Sequence, residues 1–190
     1  MQAGIDALLA WKSLAILAWF AALFAAERWH PAARPALGEP PWRRWLRNAI
    51  FWAGNAALSP LAVVPISAFA AAHALTWRPS WWRGAGGLAA DLVLLDFFIY
   101  WWHRANHRLP LLWRFHAVHH LDRFLDTTSA VRFHMGEVLL SALARGVVIV
   151  LLALPLASVV TFETLVLMAT LFHHSNLRLP PALERALAAV

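Results

Sequence analysis

Ala7 to Ala26 form an apolar run of twenty residues broken only by Lys12 and Ser13. At about 1.5 Å per residue, a helix of that length crosses a hydrocarbon core of ~30 Å. The run has no basic start and no small-residue cleavage site, so it reads as a retained helix and not a signal peptide. Four more apolar stretches follow. Residues 49–75 form the second, with a bend or break predicted at Pro60 and Pro65. The third starts near Gly87 and runs through Tyr100 into His103, and Met135–Leu154 and Leu156–Phe172 form a hairpin across Pro155 and Ser158. Arg145 and Glu163 are polar exceptions inside that hairpin. The tail from Leu177 opens on Pro180-Pro181, which suits a helix start. With 61% hydrophobic and 14% charged residues, the composition lies outside the soluble balance. The prediction is an all-α, multi-pass transmembrane bundle of four or five membrane helices, hairpin included.

The segments between these runs are basic. Glu27–Arg47 reads as a loop with an interfacial helix around Trp42-Arg43-Arg44-Trp45, and Trp77–Arg83 as a Trp/Arg turn at the other interface. The net charge of +6 is carried by arginine, with Lys12 the single lysine. Because the arginines fall between apolar runs, they fit a negatively charged membrane surface and not nucleic acid. The arginine-rich segments 27–47, 103–134 and 173–178 are expected on the cytoplasmic side. The N-terminus and the hairpin tip at 155–158 then lie outside. Arginine in place of lysine, with no cysteine, points to a bacterial inner membrane. Residues 1–85 are read as N-terminal helices with a basic loop, and 86–190 as the part that carries the chemistry.

That chemistry is signalled by histidine. Five of the chain's 10 histidines lie between 103 and 120, as His103-x-x-x-His107 and His116-x-x-His119-His120. Residues three and four apart share a helix face, so two facing helices would converge imidazoles on a small volume suited to iron or zinc. With no cysteine, any metal must be held by His, Asp or Glu. Tyr100 and Asp96 lie four and seven residues before His103 on the same stripe, and Asp96 could accept the second N–H of a ligating ring. Asp91 is read as lying near the far headgroups. His134 and Glu137 share a face, either as ligand and partner or as an ordinary helix start with an acid in its first turn. His173 and His174 point about 100° apart, so only one can face such a site. His30 and His73 read as interfacial side chains. By the assignment above, all the other histidines lie at the cytoplasmic ends of helices, forming a histidine-rich metal-binding cap.

Four motifs carry a resemblance. They are Asp96…Tyr100-Trp-x-His103-Arg-x-x-His107, Leu112-Trp113-x-Phe115-His116-x-Val118-His119-His120, Arg132-Phe133-His134-x-x-Glu137 and His174-Ser175-Asn176. Over roughly residues 90–180 the chain resembles the fatty acid hydroxylase / sterol desaturase superfamily of integral membrane, non-haem di-iron enzymes. The resemblance implies metal ligation by His103, His107, His116, His119 and His120, with His134 and His174 in the same cluster. It implies site roles for Asp96, Tyr100, Glu137 and Asn176. Met135 stands where the family usually has proline. The family also closes its ligand set with another H-x-x-H-H after the segment matching 173–180. That motif is missing before Val190, so the sequence is expected to be a piece of a longer one.

The implied activity is O2-dependent hydroxylation or desaturation of a lipid such as a sterol or fatty acyl chain. It would use two iron ions and an external electron donor, an electron-transfer protein or reductase. Two other classes compete. A membrane b-type haem carrier needs one axial histidine from each of two opposed helices, which makes H-x-x-H-H redundant. A zinc-dependent membrane hydrolase would need only three ligands and usually H-E-x-x-H, which is absent.

Overall fold

The computed structural model describes residues 2–34 and 40–188. The described chain is helical, and its only bridge is an isolated backbone pairing of Pro31 with Leu177. Helix α1 spans Gln2–Trp29, α2 Pro41–Leu58, α3 Val64–Ala72, α4 Gly84–Arg108, α5 Pro110–His120, α6 Met135–Leu152, α7 Leu156–His173 and α8 Pro181–Ala188. Five helical stretches are long and apolar enough to cross a membrane: Leu9–Trp29, Pro41–Ala72, Gly84–Arg108, Met135–Leu152 and Leu156–His173. The protein is an integral, multi-pass membrane protein.

Two local expectations are corrected. Trp42–Trp45 is not a separate interfacial helix but the first turn of α2, which Pro41 opens. The predicted break at Pro60 is a π-helical segment, Ser59–Val63, joining α2 to α3 without interruption. Proline removes one N–H and crowds the carbonyl four residues back, and a wider π turn absorbs that crowding without ending the helix.

Side-chain contacts fix the direction of each helix. Lys12 Nζ meets Glu163 Oε2 at 2.5 Å, Trp19 Nε1 donates to the Met168 carbonyl at 3.0 Å, and Asn176 N donates to Glu27 at 3.0 Å. Helix α1 therefore runs parallel to α7. The end of α1, the end of α7, the α4–α5 corner and the starts of α2 and α6 gather at one end of the bundle. At the other end Arg78 is the hub. It donates to the Ala153 and Trp82 carbonyls and pairs with Asp91 at 2.5 Å. Asp91 also accepts from Trp82 Nε1 and from Ser158 at 2.7 Å. It is thus at the far end as expected, but buried in an ion-pair lock and not among headgroups. Ala153 turns the α6–α7 hairpin in the left-handed region at φ 53.

The larger core, Ala70, Leu95, Ile149, Leu154, Val159 and Phe162, joins α3, α4, α6 and α7. A smaller one, Leu23, Ala130 and Leu171, lies nearer the histidine end. Between α5 and α6 a 3-10 turn, Thr127–Val131, is capped by Asp126. Asp126 pairs with Arg44 of α2, and Asn48 of α2 donates to Asp122 and Thr128 at 2.8 and 3.0 Å. Burial alone would raise the Asp126 carboxyl, but the bonds from Arg44 and Thr128 outweigh it and hold it below the usual range. This polar weave fixes the floor on which the histidines stand.

Candidate metal centre

The sharp corner between α4 and α5 sets the site. Leu109 is extended (φ −91, ψ 119), as expected before proline, and Pro110 opens α5 with its fixed φ and missing N–H. The chain therefore doubles back, and the last turns of α4 face α5. His103 and His107 from α4 meet His116 and His120 from α5. His107 Nε2 lies 3.1 Å from His103 Nε2 and 3.3 Å from His116 Nε2. His120 Nε2 lies 3.1 Å from His116 Nε2. The ligand atoms of His103, His107 and His116 all fall within 4.8 Å of one another.

A second lobe adjoins the first. His119, beside His120 on α5, points to the end of α7, where its Nε2 lies 3.0 Å from His174 Nε2. The lobes touch through ring contacts of His119 with His120 (5.3 Å) and His116 (5.7 Å).

The tautomers follow from the partners. His116 Nδ1 is 2.7 Å from Glu137 Oε1, His119 Nδ1 3.3 Å from the Arg132 carbonyl, and His174 Nδ1 2.9 Å from the Thr170 carbonyl. Each of these oxygens is an acceptor, so each Nδ1 carries the proton and each Nε2 is left as a bare lone pair. The Nε2 atoms of His119 and His174 then face each other, lone pair to lone pair. That contact is unfavourable unless a cation lies at it. In the first lobe His116 Nε2, also bare, faces both His107 and His120. The second carboxylate oxygen of Glu137 is buried without a hydrogen-bond partner among the described residues. Neutral imidazoles with fixed outer hydrogen bonds and a spare carboxylate oxygen suit a transition-metal ion.

The electrostatics agree. Burial, then the neighbouring His174, His120 and His116, push the His119 imidazole down to about 3. Burial also lowers His120, assisted by His116 and His107, and lowers His174, assisted by His173. These rings stay neutral near pH 7, the state a metal requires.

A cavity of about 410 Å³ descends from this cluster between α4, α6 and α7. His103, His119, His174 and Glu137 line its upper end; Ile99, Trp102, Phe162, Val166 and Leu167 line its walls; Lys12, Arg145 and Glu163 lie at its lower end.

Several residues expected at the site lie elsewhere. Asp96 is exposed on α4, and Tyr100 is exposed with its hydroxyl 3.4 Å from Arg104 Nη1. They share the stripe of His103, but α5 folds back only over the last turns of α4. Asp96, about 10 Å below His103, is left uncovered, and the carboxylate that meets a ring N–H is that of Glu137. His134 caps α6, its Nδ1 accepting from Gly136 N at 2.9 Å, and its ring lies against Phe115. Asn176 pins residues 32–33, exchanging hydrogen bonds with Ala33 at 2.8 and 2.9 Å. His174 faces the site while His173 is exposed.

Sequence reasoning missed Glu27, read as the start of a loop. It is 3% exposed and accepts from Thr127 N, Thr127 Oγ1 and Asn176 N at 2.9–3.0 Å. One signal was available, an acid closing an apolar run.

Over 97 residues the chain is 32% identical to the ornithine lipid hydroxylase OlsE of Rhizobium tropici, a match that covers 51% of this chain. It spans only 29% of that protein's length. No solved structure matches. The fatty acid hydroxylase family model matches residues 88–189, the stretch that holds α5, both histidine lobes and Glu137, and the chain belongs to that family.

Proposed function

We propose that the protein is an O2-dependent lipid hydroxylase built on a histidine-ligated di-iron centre. The observation that carries this reading is the pair of adjoining lobes. In each, imidazole Nε2 atoms converge, and a long apolar cavity opens directly beneath them. His103, His107, His116 and His120 would hold one iron, and His119 and His174 would contribute to a second. Glu137 lies within reach to orient His116 and offer its spare oxygen. Iron held this way supplies the activation of O2 needed to oxidise an unactivated C–H bond.

The chain's own residues do the rest. Glu137, the Arg132 carbonyl and the Thr170 carbonyl fix the protons of three rings, so no proton has to leave before a metal binds. Ile99, Trp102, Phe162, Val166 and Leu167 exclude water from the space where an alkyl chain would lie. His134, Asp96, Tyr100 and Asn176 take no part in this reading of the site. Most of residues 1–85 act as scaffold for residues 86–190. Helix α1 braces α7 from outside, and α2 anchors the segment after α5.

The likeness to an ornithine lipid hydroxylase favours hydroxylation over desaturation. A haem carrier fits less well, because the imidazoles contact one another and leave no slot for a porphyrin. The arginine distribution favours a bacterial inner membrane with the metals on the cytoplasmic face, where an electron-transfer protein or reductase would deliver electrons. The test is elemental analysis of the detergent-solubilised protein supplied with iron, together with mass spectrometry of extracted lipids. Iron at more than one per chain, with oxygen incorporated from labelled O2 into a lipid, is expected. Protein that takes up no iron, or whose lipid product carries no label, overturns the reading.

A further inference from the structure

The lower end of the cavity holds an unusual group for the middle of a membrane bundle. Lys12 of α1 and Arg145 of α6 converge on the single carboxylate of Glu163 in α7. Lys12 Nζ lies 2.5 Å from Oε2 and Arg145 Nη2 2.7 Å from Oε1. Two basic side chains face one acid, and all three are at most a fifth exposed. An uncompensated charge in such a low-dielectric setting is costly. Arg145 Nε is also buried with no hydrogen-bond partner among the described residues, as is Trp102 Nε1 on the wall above. The site therefore has one positive charge too many and two unused donors, all lining one cavity. The π-helical segment contributes Ser59 and Val63 to the same lining, and such segments recur where a helix is adapted to a ligand.

We infer that Lys12, Arg145 and Glu163 form a binding site for the terminal carboxylate of a long-chain acid, held at the end of the cavity opposite the histidines. A carboxylate there would satisfy Arg145 Nε and bring the group of charges to neutrality. His174, just past the end of α7, lies eleven positions after Glu163, which is ~16 Å along the helix axis. An acid seated this way presents a C–H bond far from its carboxylate to the histidine cluster. This inference rests on the proposed function for the meaning of the upper end, but not for the binding itself.

The test is equilibrium binding of a fluorescent conjugated-polyene fatty acid, and of the alcohol of the same chain length, to the purified metal-loaded protein in detergent. Wild type is expected to prefer the acid by about tenfold or more, the scale of a charge-assisted hydrogen bond. Arg145→Gln leaves Lys12 and Glu163 as a balanced pair and should abolish the preference. Glu163→Gln removes the competing carboxylate and should strengthen it. Iron content, set at the other end, should not change in either variant. Equal affinity for acid and alcohol in the wild type overturns the inference. So does a preference that shifts in the same direction in both variants, which is what a structural clamp would give. No turnover is needed: acid-selective binding without any oxidised product would count against the proposed function and leave this site standing.

Discussion

The Nε2 atoms of His119 and His174 lie 3.0 Å apart, although each ring already commits its Nδ1–H to a backbone carbonyl. Two lone pairs held face to face by fixed outer bonds support the proposed second metal position. Replacing His174 with Ala should remove one metal ion per chain and leave the other lobe loaded, since His103, His107, His116 and His120 do not depend on α7. Elemental analysis of His174→Ala beside wild type checks this. Unchanged metal content would separate the pair from metal binding.

Under the proposed function, Glu137 would act on the metal through His116. Its Oε1 accepts from His116 Nδ1 at 2.7 Å, holding a fully buried ring in the tautomer that leaves Nε2 free. Partners of this kind are worth about 10–100-fold in metal affinity. Glu137→Gln should lower affinity by that factor in a chelator competition, and Glu137→Ala by at least as much. Equal affinity in all three proteins would reduce Glu137 to a helix-start acid, the plainer reading of His134-x-x-Glu137.

What the sequence made legible divides along physical lines. Apolar length decides whether a helix can span a membrane, so the five spans could be read directly. The histidine spacings were legible because i, i+3 and i+4 neighbours share a face whatever the tertiary fold. Asp96 and His134 mark where that logic stops. Both stand at correct helical spacings, but whether a stripe is covered depends on how far α5 folds back along α4. Whether a histidine at a helix start faces inward depends on which backbone N–H it caps. The supports around Glu27, Asn48 and Asp126 are isolated polar residues whose distant partners lie 74–149 residues away, and no local pattern announces them.

Glu27 should behave as a structural residue. Its Oε2 is the shared acceptor for Thr127 and Asn176, tying α1 to the 3-10 turn and to the segment after His174. Glu27→Ala leaves the buried Thr127 donors and the half-buried Asn176 N–H without a partner, at about 1–3 kcal/mol for each buried unsatisfied group. A fall in thermal midpoint is expected, with metal content per folded chain retained. Asn176→Ala should lose less, about 1 kcal/mol, because it breaks only exposed bonds to Ala33. If Asn176→Ala folds normally yet abolishes turnover, Asn176 belongs to the catalytic machinery after all.

The metal-free protein should lose stability as the pH falls. His119 is held down to about 3 in the fold, against about 6.5 in an unfolded chain. Above pH 6.5 the ring is neutral in both states and contributes no pH dependence. Below it the unfolded chain binds a proton that folded His119 refuses, so stability drops by up to about 1.4 kcal/mol per pH unit until the pH nears 3. His120 and His174, lowered in the same direction, add to the slope between their own lowered values and 6.5. Thermal midpoints of the metal-free protein, taken between about pH 7.5 and 4.5, should be level at the upper end and fall steadily below it. His119→Gln has no ring to protonate and should show a shallower fall. A midpoint that does not change across this range, or a slope identical in His119→Gln, would mean that the His119 ring is not held neutral by the fold.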